Sequence, residues 1–366
     1  MNSNRKTKGI LVCVLAVASM LPTVARDAKA DFVFGIPTNL GPTVNTPSYD
    51  SDICISNDGL SLYFTSDRPG GSGSYDIWVT TRETAQDLWG EPVNLGPTVN
   101  SGVWEHTPFI SADGLTLFFS SSRSGGFGMV DIWFTTRTSV SDPWSTPENL
   151  GSTVNTSAAD AAVNISFDGL SLLFNSTRSG GYGGQDLLVS TRPTASDPWA
   201  EPVNLGPTVN SSAWDYTPAL SPDGRLLIFG SNRSGGLGSD DLWLTTRETI
   251  VDAWGEPVNL GPAVNSSAGE GGANLSVDGS TLYFGSNRPG GSGQVDIWQA
   301  PIIPIVDFNG DGSVDLVDLV MLIDVWGTDD TLCDIGPMPW GDGTVDIEDL
   351  KVFMTHWEKQ NGPVLP

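Results

Sequence analysis

One unit recurs five times along this chain at a fixed spacing of 55 residues, with no insertion between copies. Its Ser-x-Asp-Gly turn places an aspartate at Asp58, Asp113, Asp168, Asp223 and Asp278. The arginine of a following Arg-x-Gly-Gly-x-Gly turn falls at Arg68, Arg123, Arg178, Arg233 and Arg288. Eight residues later an aspartate opens an apolar run, at Asp76, Asp131, Asp186, Asp241 and Asp296. An Asn-Leu-Gly keeps the same step from Asn39 through Asn94, Asn149 and Asn204 to Asn259. A period of this length means a repeat architecture, because each unit is too small to bury its apolar face alone.

Each copy holds four short runs of alternating apolar residues bounded by Gly, Asp and Pro clusters, which are strand and hairpin signals. In the first copy they are 52–56, 60–65, 76–81 and 89–94. Four antiparallel strands per repeat predict a propeller blade, and five blades account for residues 31–300. The fifth copy stops after its third run, Ile297-Trp298-Gln299-Ala300, and the segment from Phe32 to Leu40 resembles the missing fourth strand. The N-terminal strand is therefore expected to close the ring. Forms such as Ser221-Pro222-Asp223-Gly224 and Ser66-Asp67-Arg68-Pro69-Gly70-Gly71 resemble the WD40-like repeat of TolB-type propellers. That resemblance implies a fold and leaves the activity open, since propellers host unrelated functions. The sialidase-type aspartate box differs, because there one residue separates Asp from Gly.

Residues 1–30 read as a secretory signal: Arg5, Lys6 and Lys8, an apolar core from Ile10 to Leu21, then Ala28-Lys29-Ala30. An exported protein is predicted, at the cell surface, outside the cell or in the periplasm. The apolar core is too short to span a membrane, and no later segment is long and apolar enough. The formal net charge of −26 repels nucleic acid and anionic membranes and suits divalent cations or basic partners. Beyond the signal only Cys54 and Cys333 remain, one in each expected domain, so no disulfide framework is foreseen. Phe109, Asn164, Ala219 and Asn274 replace Cys54 in the other copies, which makes it filler on a strand.

Two sets of residues are candidates for function in the propeller. Asp50, Glu105, Asp160, Asp215 and Glu270 occupy equivalent positions just before the first strand of each blade, where they could ring one mouth of the channel. Such a ring could be structural, hold a cation or ligand, or supply a carboxylate pair for glycoside hydrolysis. Five equivalent acids argue against catalysis, which needs two carboxylates in different environments. Tyr49, Trp104 and Trp214 stand one residue earlier, and an aromatic beside a carboxylate suits a sugar or peptide. Ala159 and Gly269 fill the other two equivalents. The recurrent Arg and Asp flanking each glycine turn read as a structural pair across that hairpin. His106 is the sole histidine of the propeller, so a Ser-His-Asp or multi-histidine zinc site lacks material.

After the linker 301–306 the composition changes. Asp307, Asn309, Asp311, Ser313, Asp315 and Asp318 fall at positions 1, 3, 5, 7, 9 and 12 of a calcium loop, with Gly312 at the sharp-turn position 6. A second half repeats this with Asp342, Thr344, Asp346 and Asp349, but has Met338 and Trp340 at positions 1 and 3, so Asp334 would have to reach in. Two half EF-hands of this kind, over 307–358, resemble a type I dockerin. The resemblance implies a small α-helical, calcium-folded domain and a cohesin-like docking partner. Leu316, Val317, Ile347 and Glu348 stand where dockerins commonly select partners, and they differ from the hydroxyl residues of cellulosomal forms. The expectation is an exported, non-catalytic binding or scaffold component with a polysaccharide or peptide ligand. Its rivals are a polysaccharide-acting glycosidase or lyase using channel carboxylates, and a TolB-like envelope interaction protein.

Overall fold

The computed structural model describes residues 32–330, 332–337 and 341–361; the signal segment 1–30 and the positions of Met338 and Trp340 lie outside them. The chain divides into two compact units, Gly35–Pro301 and a second unit of 302–366 with the residues up to Phe34.

The first unit is an all-β propeller of five blades, each a four-stranded antiparallel sheet in simple sequential order. Its inner strands are Asp50–Ile55, Glu105–Ile110, Asp160–Ile165, Asp215–Leu220 and Glu270–Leu275. Each outer strand is only two residues long, as at Val93–Asn94. In the fifth blade Thr38–Asn39 supplies that strand, pairing with Gln299 and Trp298, so the ring is closed by the N-terminal segment as expected. Outer strands this short leave little free edge for pairing with other chains. Between blades the apolar second strands pack in layers, with Phe64, Phe119, Phe174, Phe229 and Phe284 fully buried.

The repeated polar residues hold this frame. Asp58 Oδ1 accepts the Leu60 amide and the Ser56 hydroxyl, while Gly59 takes φ 70°, which is the turn chemistry the motif predicts. Asp76 accepts the amides of Ser72 and Gly73 in the glycine turn and the side chain of Asn94. A Cβ on Gly71 would stand 2.3 Å from the Asp76 carboxylate, so the second glycine of the turn is fixed by the acid it encloses. The arginine does not pair with this aspartate. Arg68 reaches back to Asp50 instead, and Arg82, Arg137, Arg192 and Arg247 lie 4.1–4.3 Å over Trp89, Trp144, Trp199 and Trp254.

The second unit contains two helices, α1 (Leu316–Asp324) and α2 (Ile347–Asn361). They pack around Phe308, Leu322, Cys333, Ile335, Val345 and Phe353. The strand Phe32–Phe34 pairs with Ile302–Pro304 in this unit. Both helices open on the same acidic capping box: Asp315 caps Val317 while Asp318 caps Asp315, and Asp346 caps Glu348 while Asp349 caps Asp346.

Candidate active site at one mouth of the ring

The five acids expected to ring the mouth do not face it. Asp50, Glu105, Asp160 and Asp215 are 0% exposed and Glu270 1%. Each is bonded to the arginine of its own blade at 2.5–3.1 Å, through Arg68, Arg123, Arg178, Arg233 and Arg288. Glu105 shows the rest of the pattern: Oε1 also accepts the hydroxyls of Ser101 and Ser121, and Oε2 accepts the Ser101 amide. With their lone pairs used and no surface exposed, these acids fix the loop that enters each inner strand. They leave nothing for a ligand.

What reaches the channel is set by a distortion just after them. Each inner strand slips register after its second residue, as between Ser51 and Cys54, which is a β-bulge that re-aims side chains. The third residue takes the left-handed conformation: Asp52 at φ 53°, Thr107 at 51°, Ala162 at 56°, Thr217 at 46° and Gly272 at 58°. For β-branched threonine such a backbone costs about 1–3 kcal/mol and persists only where neighbours over-determine it. Here the previous blade does so, because Thr65, Ser120 and Asn175 side chains accept the amides of Thr107, Ala162 and Thr217.

Around this ring, at the end where the inner strands begin, lies a cavity of about 360 Å³ lined by Tyr49, Asp52, Tyr75, Trp104, His106 and Tyr216 among others. Asp52 is 8% exposed and its Oδ2 lies 2.8 Å from His106 Nδ1. Three aromatic rings surround that pair: Tyr75 at 4.6 Å, Trp104 at 5.2 Å and Tyr49 at 5.9 Å from the imidazole centroid. From the fourth blade, Tyr216 donates its hydroxyl to Asp240 Oδ1 at 2.6 Å. Burial, then the Asp240 hydrogen bond and charge, push the Tyr216 phenol far above its ordinary value, with Tyr49 and Asp52 adding to the shift. Burial, then the Asp52 charge, likewise raises Tyr49. Both phenols stay protonated donors at neutral pH. Tyr216 fits because two neighbours are glycines: a Cβ on Gly230 would meet its Cε2 at 2.9 Å, and one on Gly271 at 3.6 Å.

Of the aromatics read from the sequence, Tyr49 and Trp104 line the cavity. Trp214 stands at the same end, 52% exposed, over Gly184. The sequence reading missed Asp52, Tyr75, His106, Tyr216 and Asp240 as a set. The signal was present: each occupies a position where the five copies differ in chemistry, whereas the structural acids vary only between Asp and Glu and the arginines not at all.

In the second unit Asp307 accepts the amides of Gly310, Asp311 and Gly312, and Gly312 takes φ 90° at the turn. Asp318, fully buried, accepts the amides of Phe308, Asn309 and Asp315, and its burial raises its pKa. The second loop reproduces this with Asp334 in the place of Asp307. Asp334 accepts the amides of Asp342 and Gly343, and Asp349 accepts those of Ile335, Gly336 and Asp346. Burial raises Asp334 to about 6, helped by the charges of Asp349 and Asp342. The loop is thus longer than the first by four residues, because its opening acid is Asp334 and not position 338. Among the described residues no group of three or more His, Cys, Asp or Glu converges closely enough to hold a metal ion.

No protein-family model and no curated protein matches this chain. Solved structures do. A thermostable family-43 glycoside hydrolase is similar over 74% of this chain and 94% of its own, with 13% identity and a TM-score of 0.50. An α-L-arabinofuranosidase from Lactobacillus brevis covers 73% and 93%, at 15% identity and a TM-score of 0.49. TolB from Acinetobacter baumannii matches 69% of this chain at 16% identity and a TM-score of 0.36, and the chain spans only 43% of that protein. At these identities the likeness is one of fold. It corrects the expectation of a non-catalytic binding or scaffold component all the same. A family-43 glycoside hydrolase shares the fold over most of both chains, so the fold gives no ground for setting catalysis aside. The argument from symmetry fails as well, since the carboxylates at the mouth are not equivalent.

Proposed function

We propose that this protein is a glycoside hydrolase acting on a polysaccharide at the aromatic mouth of its propeller. The observation that carries the reading is the pair Asp52 and Asp240, two carboxylates bonded to side chains that line the mouth and held in different surroundings. Glycoside hydrolysis needs one group to protonate the leaving oxygen and another to take a proton from water or attack the anomeric carbon. Asp52, held through Oδ2 by His106 Nδ1 at 2.8 Å, takes the donor's part, passing a proton to the leaving oxygen and regaining one from solvent. Asp240 is steadied through Oδ1 by Tyr216, leaving Oδ2 to take the proton of the attacking water. The faces of Tyr49, Tyr75 and Trp104 supply stacking surface for sugar rings. Phe127, Tyr182 and Leu237, about half exposed on the glycine turns of three successive blades, extend an apolar surface for further units of a chain.

The test is hydrolysis of a panel of polysaccharides and aryl glycosides, beginning with arabinose- and xylose-containing substrates because such sugars appear among the enzymes that share the fold. Asp52→Asn and Asp240→Asn should each lower kcat by about 10²–10⁴ with the fold intact. Activity that survives in both variants sinks the assignment.

The leader 1–30 supports export, placing the enzyme where polysaccharide is found. For the second unit the reading is a dockerin-like module binding calcium through Asp307, Asn309, Asp311, Ser313, Asp315 and Asp318, with a cohesin-like partner. Its support is the oxygen-donor pattern, the turn at Gly312 and a fully buried Asp318 with no ion pair among the described residues. The extended second loop, with Asp334, Asp342, Thr344, Asp346 and Asp349, is the weaker candidate, since Met338 and Trp340 stand at its first and third positions. Calorimetric titration of the full chain with calcium decides: one ion per chain supports the first loop, two support both, and none removes the module from the reading.

A further inference from the structure

The opposite mouth of the ring holds a larger cavity, about 510 Å³, that runs from the channel into the gap between the second and third blades. At two of the five junctions an arginine on one blade meets a tyrosine hydroxyl on the one before: Arg137 meets Tyr63, and Arg82 meets Tyr283 across the ring closure. At the other three junctions the tyrosine position holds Phe118, Leu173 or Ile228, and it is the second-to-third junction, at Phe118, that the cavity enters. Arg192 there bonds from Nε to the Gly169 carbonyl at 2.8 Å and stacks on Trp199; Asp197 acts on it through its charge, but its terminal nitrogens have no hydrogen-bond partner among the described residues. Phe109, Phe118, Phe134 and Trp199 wall the space beside it.

Two further donors line the cavity. Asn164 and Asn274 are 3% and 7% exposed, and each accepts a backbone amide on Oδ1, from Leu220 and Ile55 respectively. Those bonds fix the amide orientation, so in each residue Nδ2 is the free end, and neither has a partner among the described residues. At the rim, Asp113 and Asp168 each spend Oδ1 on their own turn. An apolar space within the usual range of ligand cavities, furnished with donors in its wall, is built for a molecule with an apolar body and an oxygen acceptor.

We propose that this cavity is a second binding site, separate from the aromatic mouth, for a small ligand with a flat apolar body of one or two rings and a carbonyl or carboxylate head. The head bonds to the Arg192 fork and the asparagine amides, and the body lies among the phenylalanines and Trp199. This site does not depend on the glycosidase reading and stands if that reading fails.

Equilibrium dialysis of the full chain against 1-naphthoate, 1-naphthamide and 1-methylnaphthalene tests it. The expected result is saturable one-to-one binding of the naphthoate or the naphthamide, with methylnaphthalene at least about tenfold weaker. A charged-head preference shows as naphthoate binding above naphthamide, a neutral one as the reverse. Phe118→Tyr, which offers Arg192 the hydroxyl that Arg137 meets at Tyr63 and Arg82 at Tyr283, should weaken binding at least about tenfold without loss of thermal stability. Arg192→Gln should weaken it too, and Trp104→Ala, at the other mouth, should not. No saturable binding of any probe, or equal binding by Phe118→Tyr and Arg192→Gln, overturns the proposal.

Discussion

Replacing Glu105 by glutamine should destabilise the propeller while leaving the chemistry of the mouth intact. Glu105 Oε1 receives three donors, from Ser101, Ser121 and Arg123, and Oε2 receives the Ser101 amide. Glutamine has one acceptor oxygen. With its oxygen in the first position, its amide nitrogen faces the Ser101 N–H, and in the other orientation it faces two hydroxyls and a guanidinium. A donor is left unmatched in the first case and Arg123 loses its counter-charge in both. Breaking a buried pair from one side costs about 3–5 kcal/mol. Arg123 is 14% exposed, so partial screening brings the expected loss to about 2–4 kcal/mol. For a domain of this size that is roughly 5–15 °C in Tm.

Chemical denaturation followed by tryptophan fluorescence gives the first quantity, and turnover per folded molecule gives the second. Asp52→Asn is the reciprocal variant, expected to lose turnover with a smaller loss of stability. Glu105→Gln combined with Glu270→Gln should be additive within about 0.5 kcal/mol, because the two acids share no partner. The reasoning is refuted if Glu105→Gln keeps the parent midpoint, or if it abolishes turnover while the midpoint stays put. Either outcome would return the acid ring to the mouth.

Gly230→Ala brings a methyl to 2.9 Å from Tyr216 Cε2, so the phenol must swing away from Asp240. Overpacking of this kind costs about 1–3 kcal/mol, and kcat should fall at least tenfold, read against Tyr216→Phe as the control for losing the hydroxyl alone. Burial pushes the Cys54 thiol up from 9.0 to about 12. The unfolded chain therefore loses this proton first, and its contribution to stability is complete below pH 9 and lost as pH rises toward 12, by about 1.4 kcal/mol per unit. The difference in denaturation midpoint between the parent and Cys54→Ala should show that slope, and Cys54 should resist alkylation at pH 8 until the protein unfolds.

The ring was legible because its repeated residues carry their own turn chemistry. Ser-x-Asp-Gly and the paired glycines fix two hairpins per blade through bonds made within a few residues. Partners distant in sequence were not legible. The arginine of the glycine turn has an aspartate eight residues away and an acid 18 residues back, and spacing alone favours the nearer. The nearer one is taken by the turn amides and by Asn94, which leaves the farther as the partner. The bulge that aims Asp52 into the channel was equally hidden, because threonine, alanine and aspartate at that position give no sign of a left-handed backbone. In the second unit, the four extra residues of the second loop concealed that Asp334 stands there in the place of Asp307.

The five copies also distinguish what is spent on the frame from what is released to the site. Where a position is tied to a turn of its own blade, every copy keeps the same chemistry, as with Arg68 and its four equivalents. At the mouth the copies diverge: Asp52, Thr107, Ala162, Thr217 and Gly272 at the bulge, and Tyr75, Val130, Gln185, Asp240 and Val295 at the entry to the third strand. The divergence is coordinated across blades. Tyr216 fills space that Gly230 and Gly271 vacate, Trp214 the space over Gly184, and Ser51 the space at Gly285, where a Cβ would lie 2.0 Å from its hydroxyl. Unrelated substitutions in a ring this tightly packed would leave clashes or voids. Exchanges of volume keep the packing while gathering His106, Asp52 and Asp240 with the aromatics Tyr49, Tyr75, Trp104, Trp214 and Tyr216 at one end. A five-fold scaffold becomes chemically asymmetric in this way without losing the symmetry that closes it.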